Sequence, residues 1–428
     1  MTSRGDITHW TDPEWLVARL RGTFASGKLE KLAVGLIVGQ RSCSVALEGM
    51  SAGIDAAQTL RFPLGCIAKL LTGALLQRWV RAERMSVDVA VPRICAGPDG
   101  RLMEGITVRQ LLEHSHGLDD STVGRAELRR DGSIDIEALC ESLGAAPAVA
   151  DPGRFYSYGS AGFLLGAAIL EAVYGSSFAE IMAVHLLEPL GIVALFAEAG
   201  VAQRLGGAVC PSTGGALTLS VGDLVRFLNY QLHDRTSVFA DAHTGTICRH
   251  VRALPGWHST ERGIYLGWKY YGEGWFGHAS EVPDGLMLVR LNPGLRMGVI
   301  VFSGRHPPAT VASSIFRNGF PSLPRMQMPQ LHREWRIERS EASRFTGTYA
   351  NRASAVTIEG DGNGKLQLRL VDRMTMREAC TASLLPAEDR IFFLQPSATD
   401  RLPFVQFIEL NGSRFGYLWT GSQVLKRV

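Results

Sequence analysis

The hydrophobic period of this chain changes once, near Glu334, and that change limits the folds open to it. Before it, helical and strand patterns alternate. After it, only short period-two runs remain, at Phe345–Tyr349, Ala355–Glu359, Lys365–Leu370, Arg390–Leu394, Phe404–Glu409 and Phe415–Trp419. Turn signals such as Asp361-Gly362-Asn363-Gly364 separate them, which predicts a barrel or curled sheet. Upstream, Ile67, Leu70, Leu71, Ala74, Leu75 and Trp79 recur at helical spacing and predict a helix over Gly65–Arg84. Further helices are expected from Pro13 to a stop at Gly27, at Thr107–Glu113, Ala161–Tyr174 and Ser177–Leu187, and at Leu219–Leu232 with Ser220 as its cap. Lys31–Gly39 and Ser42–Glu48 read as a hairpin. Tyr265–Tyr271, Gly274–His278, Gly285–Leu291 and Met297–Phe302 read as consecutive strands. Prolines punctuate Gly304–Gln330, with a short helix expected near Val311–Phe316. The expected organisation is a mixed α/β unit over 1–320, a linker over 321–335 and a β-domain over 336–428.

Charge and cysteine usage narrow the function. The 44 Lys+Arg against 41 Asp+Glu leave +3 on 428 residues, which gives no electrostatic case for nucleic acid or an anionic membrane. The longest apolar run, near Ala161–Leu170, is too short to span a bilayer. The polar N-terminus does not resemble a signal peptide. Seven scattered cysteines argue against a disulfide framework and a structural zinc site, and fit a reducing, cytoplasmic setting. With no phosphate loop and no dinucleotide fingerprint, no metal and no organic cofactor is expected.

The chemistry centres on Gly65-Cys66-Ile67-Ala68-Lys69. Cys66 begins a helix and Lys69 lies one turn on, on the same face. A helix N-terminus and an adjacent ammonium both lower a thiol pKa from its free value of about 8.5. The bare Cys-x-x-Lys spacing is common by chance, so its surroundings must carry the argument. They are Phe62-Pro63-Leu64 before it, Thr107-Val108-Arg109-Gln110-Leu111-Leu112-Glu113-His114-Ser115-His116-Gly117-Leu118, Tyr156-Ser157-Tyr158, Pro189-Leu190-Gly191, Gly214-Gly215-Ala216-Leu217 leading to Gly222-Asp223-Leu224, His278-Ala279-Ser280 and Phe345-Thr346-Gly347-Thr348-Tyr349. In that order they resemble the serine β-lactamase and penicillin-binding-protein superfamily, most closely its class C β-lactamase-like esterase, D-aminopeptidase and acyltransferase branch. Cys66 stands where that family has serine.

The resemblance implies an α/β sandwich: an antiparallel sheet flanked by helices, an all-helical region, and a C-terminal barrel-like β-domain. It implies Cys66 as acyl-accepting nucleophile, Lys69 as its base or electrostatic partner, and Tyr156 as phenolate or phenol relaying protons. His278 would line the strand side of the cleft, and the oxyanion hole would use the backbone N–H groups of Cys66 and Glu281. His114 and His116 read as structural. Tyr158 and Ser280 depart from the family's Asn and Gly. Tyr158 removes an amide fork and Ser280 narrows the cleft, and together with Cys66 in place of serine these departures argue against β-lactam hydrolysis and cell-wall peptide cleavage.

A thioester yields to amines far more readily than to water, so a cysteine favours acyl transfer through an S-acyl-enzyme. The expected partners are a small-molecule acyl donor, with a carrier protein among the candidate carriers, and an amine or hydroxyl acceptor. Natural-product biosynthesis is the expected setting. A Cys66 esterase, thioesterase or amidase is the alternative, and a non-catalytic binding module the third reading. Retention of Lys69 and Tyr156 speaks against the last.

Overall fold

The computed structural model describes residues 8–24, 31–48, 51–91, 102–119, 121, 123, 129, 133–145, 147–196, 210–214, 217–240, 252–253, 261–282, 285–304, 337–388, 390–395 and 404–428. A nine-stranded sheet organises the first unit. Its strands are β1 (Leu32–Val38), β2 (Arg41–Glu48), β3 (Ser51–Gly53), β7 (Arg252–Ala253), β8 (Gly263–Tyr265), β9 (Trp268–Gly272), β10 (Trp275–Val282), β11 (Gly285–Asn292) and β12 (Met297–Ser303). They lie in the order β3-β2-β1-β12-β11-β10-β9-β8-β7, and neighbours are antiparallel. A second small sheet holds β4 (Arg61–Pro63), β5 (Leu195–Phe196) and β6 (Leu217–Ser220).

Both faces of the large sheet are covered, so β1 reads as a continuous apolar run rather than an alternating one. Leu32, Val34 and Leu36 pack on one face with Leu16 and Leu20 of α1 (Pro13–Phe24). Ala33 and Ile37 join the main core on the other face. The remaining helices are α2 (Ile54–Thr59), α3 (Ala68–Ala82), α4 (Val108–Leu112), α5 (Ile136–Gly144), α6 (Ala161–Tyr174), α7 (Phe178–Met182), α8 (Val221–His233) and α9 (Arg339–Phe345). Gly35 lets α8 press onto β1, since a Cβ there would stand 2.6 Å from Val225 Cγ2. Ser220 caps α8 in a capping box with Asp223, as its sequence predicts. Asp223 also takes Arg61 at 2.7 Å, which pins the strand before Cys66 to the head of α8.

The C-terminal unit is a closed eight-stranded barrel: β13 (Gly347–Ala350), β14 (Ser354–Gly360), β15 (Leu366–Asp372), β16 (Arg377–Glu388), β17 (Ile391–Gln395), β18 (Phe404–Asn411), β19 (Arg414–Trp419) and β20 (Val424–Arg427). Two of these were not legible in the sequence. They are β16 and β20, which fall outside the runs read from it.

Several expectations need correcting. Leu219 belongs to β6, and its helix begins at Val221. Phe345 ends a helix, so the first barrel strand starts at Gly347. Leu266-Gly267 breaks the expected Tyr265–Tyr271 strand, and Ser177–Leu187 divides into α7 and a π-turn at Ala183–Leu187. Cys140 is disulfide-bonded, against the reading of the scattered cysteines. The stop at Gly27, the helix near Val311–Phe316 and the 321–335 linker lie outside the described residues. No single helix among those described is long and apolar enough to cross a membrane.

The turn carrying Cys66 is braced from behind. Gly214 adopts φ +117°, and a Cβ there would lie 1.7 Å from the Gly65 carbonyl oxygen. In the same turn the Ser212 carbonyl accepts the Thr72 hydroxyl at 2.9 Å. Gly214→Ala is therefore expected to destabilise the protein by about 3 kcal/mol, through both strain and collision. Urea unfolding of the variant beside the wild type measures this, and a loss below about 0.5 kcal/mol would contradict the brace.

Candidate active site

Cys66 lies in the short 3-10 turn Gly65–Ile67 that runs into α3. Across the cleft stands β10, whose side chains alternate. His278, Ser280 and Val282 are buried, while Ala279 and Glu281 are exposed. The Cys66 N–H donates to Ser280 Oγ at 3.0 Å. Lys69, on the first turn of α3, is only 2% exposed. Its Nζ lies 5.1 Å from the centroid of the Tyr158 ring and 5.8 Å from that of Phe163.

A second ammonium reaches the same ring. Lys269 Nζ, from β9, stands 5.0 Å from the Tyr158 centroid and is held by Glu261 at 2.7 and 2.8 Å. Sequence reading missed both Lys269 and Glu261. The available signal was a lysine inside an otherwise apolar strand next to the third motif.

These surroundings set the thiol apart. Burial raises the Cys66 pKa, but Lys69, the Tyr158 hydroxyl, Lys269 and the Ser280 hydroxyl together outweigh it and bring the thiol below its usual value. Cys43 is pushed up to about 12 by burial and Asp12, and Cys210 to about 11, mainly by burial. Cys380 is also raised by burial. Of the free thiols described, Cys66 alone is shifted toward the thiolate.

The other groups are held neutral. Burial raises the Tyr156 phenol well above its ordinary value, and Glu261, Tyr271 and Cys66 add to this. Of the two forms expected for Tyr156, the phenol is the one this environment favours. Tyr158 is raised in the same way by burial and Cys66. Its buried hydroxyl makes no hydrogen bond of regular geometry among the described residues, yet it faces the sulfur closely enough to favour the thiolate.

His278 is driven well below its usual pKa by burial and then by Lys269. Its Nδ1 lies 2.7 Å from the Ala279 carbonyl, so Nδ1–H donates there and Nε2 is left as an acceptor. The structure thus gathers Cys66, Lys69, Tyr158, His278 and Ser280 at one point, with Tyr156 buried beside them. The Glu281 side chain is exposed, and the expectation for this residue concerned its backbone N–H alone.

His114 frames the tyrosine segment. Its carbonyl accepts the Ser157 N–H at 2.8 Å, its Nδ1 accepts the Gly159 N–H at 3.2 Å, and its ring lies 4.5 Å from that of Tyr158. The barrel holds the same segment from outside. Tyr158 N–H donates to the Ser422 carbonyl at 2.8 Å, Val424 N–H to Ser157 Oγ at 3.2 Å, and Gln423 Nε2 to the Tyr158 carbonyl at 3.4 Å. Phe155 and Tyr417 pack with ring centroids 4.7 Å apart. Among the described residues, no group of three or more His, Cys, Asp or Glu side chains could hold a metal ion.

An antiparallel sheet, a turn at the head of a helix that holds Cys66, a lysine one turn on and a tyrosine from the helical region form the arrangement that the ordered motifs imply. The Beta-lactamase family model matches residues 27–319, and the chain belongs to that family. Penicillin-binding protein 4 of Amycolatopsis lactamdurans is 24% identical over 348 residues, covering 72% of this chain and 86% of that protein. The crystal structure of SurE with D-Leu aligns with a TM-score of 0.76 at 20% identity, over 97% of this chain and 99% of SurE. The D-amino acid amidase of Ochrobactrum anthropi SV3 with D-phenylalanine aligns at 0.52 and 14% identity, over 68% of this chain and 91% of the amidase. Barrel and sheet-helix unit together thus have a solved counterpart. The relatives of this fold include acyl-transferring hydrolases.

Iodoacetamide alkylation of Cys66 should show a pH midpoint below the value of about 8.5 for a free thiol. Lys69→Met removes a positive charge that favours the thiolate, so its midpoint should move up. The rate near pH 7 should then fall about tenfold. Alkylation profiles read by intact mass test this, and an unchanged midpoint would remove Lys69 from the electrostatics of the thiol.

Proposed function

We propose that this protein is a cysteine acyltransferase. Cys66 takes an acyl group from a thioester or activated ester and passes it to an amine or hydroxyl, in the assembly of a natural product. One observation supports this above the rest: Cys66 is the described free thiol held toward the thiolate, between two ammonium groups and two hydroxyls.

The thiolate attacks the donor carbonyl, and the tetrahedral intermediate expels the donor's thiolate or alkoxide to leave S-acyl-Cys66. The acceptor then attacks that thioester, its proton passes to the donor's expelled thiolate or alkoxide, directly or through a tyrosine phenol, and the Cys66 thiolate departs. Lys69 and Lys269 favour the anionic sulfur at the start and the end of the cycle. The Tyr156 and Tyr158 phenols are the nearby groups able to donate a proton to a leaving oxygen or sulfur. An ordinary amide is a poor donor here, because the thiolate is a better leaving group than an unprotonated amine.

Hydrolysis is the second reading, and the hydrolases among the structural relatives favour it. Two solved neighbours were crystallised with D-amino acids, so a D-aminoacyl group is the first acyl class to offer.

The protein, beside its Cys66→Ala variant, should be incubated with D-leucyl, L-leucyl and octanoyl N-acetylcysteamine thioesters and followed by intact mass. An adduct absent in Cys66→Ala and discharged at least about tenfold faster by millimolar amine than by water is expected. Rapid discharge by water alone would select the hydrolase. No adduct from any donor would count against a catalytic Cys66.

A further inference from the structure

A backbone N–H at the nucleophile is the natural donor to an oxyanion formed on its own sulfur-bound carbon. In this protein that N–H is already taken, because Cys66 N donates to Ser280 Oγ at 3.0 Å. The contact is a built one. Ser280 is 4% exposed on a strand paired with β11 from Phe276 to Val282. The turn opposite is shaped to admit its hydroxyl: Gly65 has φ +50°, and a Cβ there would lie 2.1 Å from Ser280 Oγ. The hydroxyl also has a second partner close by, the Glu281 carbonyl at 3.4 Å.

We propose that the Ser280 hydroxyl occupies the resting oxyanion site as a surrogate for the acyl oxygen, and that a donor must displace it before Cys66 can be acylated. Ser280 is then a specificity-determining residue. Swinging the hydroxyl toward the Glu281 carbonyl gives up the bond to Cys66 N–H, and contacts made by the rest of a well-fitting acyl chain offset that loss. A small acyl group makes few such contacts and is refused. This inference rests on Cys66 being the nucleophile.

The test compares wild type, Ser280→Gly and Ser280→Ala in two reactions of Cys66. Iodoacetamide alkylation needs the thiolate but no oxyanion site. Acylation by acetyl-N-acetylcysteamine needs both. In both variants the ratio of acetylation rate to alkylation rate should rise about tenfold over wild type, the size of one exchanged hydrogen bond. The rise should be smaller for the longest acyl thioester the wild type accepts. Using the ratio corrects for the hydroxyl's own support of the thiolate, and two variants guard against a strand that tolerates glycine poorly. A ratio that is unchanged or lower in both would overturn the proposal, the lower value making Ser280 a donor to the oxyanion. If all three proteins are alkylated but none is acylated by any thioester, the nucleophile reading fails and the Ser280 proposal falls with it. If all are acylated at equal ratios, only the Ser280 proposal falls.

Discussion

A lysine ammonium at the foot of an apolar helix is the constraint around which this site is arranged. At 2% exposure Lys69 has little water to stabilise its charge, and an uncompensated charge in such a place is strongly unfavourable. Its surroundings supply the compensation. The faces of Tyr158 and Phe163 lie within cation–π range, and the neighbouring sulfur gains stability as an anion. The same field, with burial, explains why His114 and His278 stay neutral: a third and a fourth positive charge would find no partner. Lys269 avoids adding to the problem by carrying its own carboxylate, Glu261.

The sheet-helix unit does not fix the tyrosine segment alone. Residues 157 and 158 run between His114 inside and the β19–β20 turn outside, and both sides bond their backbone or hydroxyl groups. The barrel is therefore a wall of the site. Further from the cleft, Arg352 N–H on Asp119 and Ala353 N–H on Ser121 Oγ tie the barrel to the helical region. Motion of the barrel would carry Tyr158 with it.

Much of this was legible from residues. The apolar period of α3, the capping box of α8 and the ordered motifs announced the fold, because each reflects a local rule that the tertiary structure also obeys. Where the sequence misled, tertiary pairing won. Leu219 follows helical spacing but is drawn into β6 by β4. Phe345 looks like a strand residue, yet it ends a helix whose aromatic ring plugs the barrel against Phe392, Phe407 and Phe415. Cys66, Lys69, Tyr158 and His278 were singled out by motif. Lys269 and Glu261 sit on no motif: Lys269 meets the site through the pairing of β9 with β10, and Glu261 through its ion pair with Lys269. Ser280 was read as an obstruction. That its oxygen lands on the Cys66 N–H depends on how β10 faces the turn, which spacing does not encode.

The contact between Gln423 and Tyr158 joins residues 265 positions apart in sequence. A chain made from its N-terminus carries Cys66, Lys69 and Tyr158 out of the ribosome long before the β19–β20 turn exists. Until that turn emerges and the barrel closes, Tyr158 lacks its outer support and the thiol lacks a finished environment. Synthesis order thus separates the making of these three residues from the completion of their surroundings.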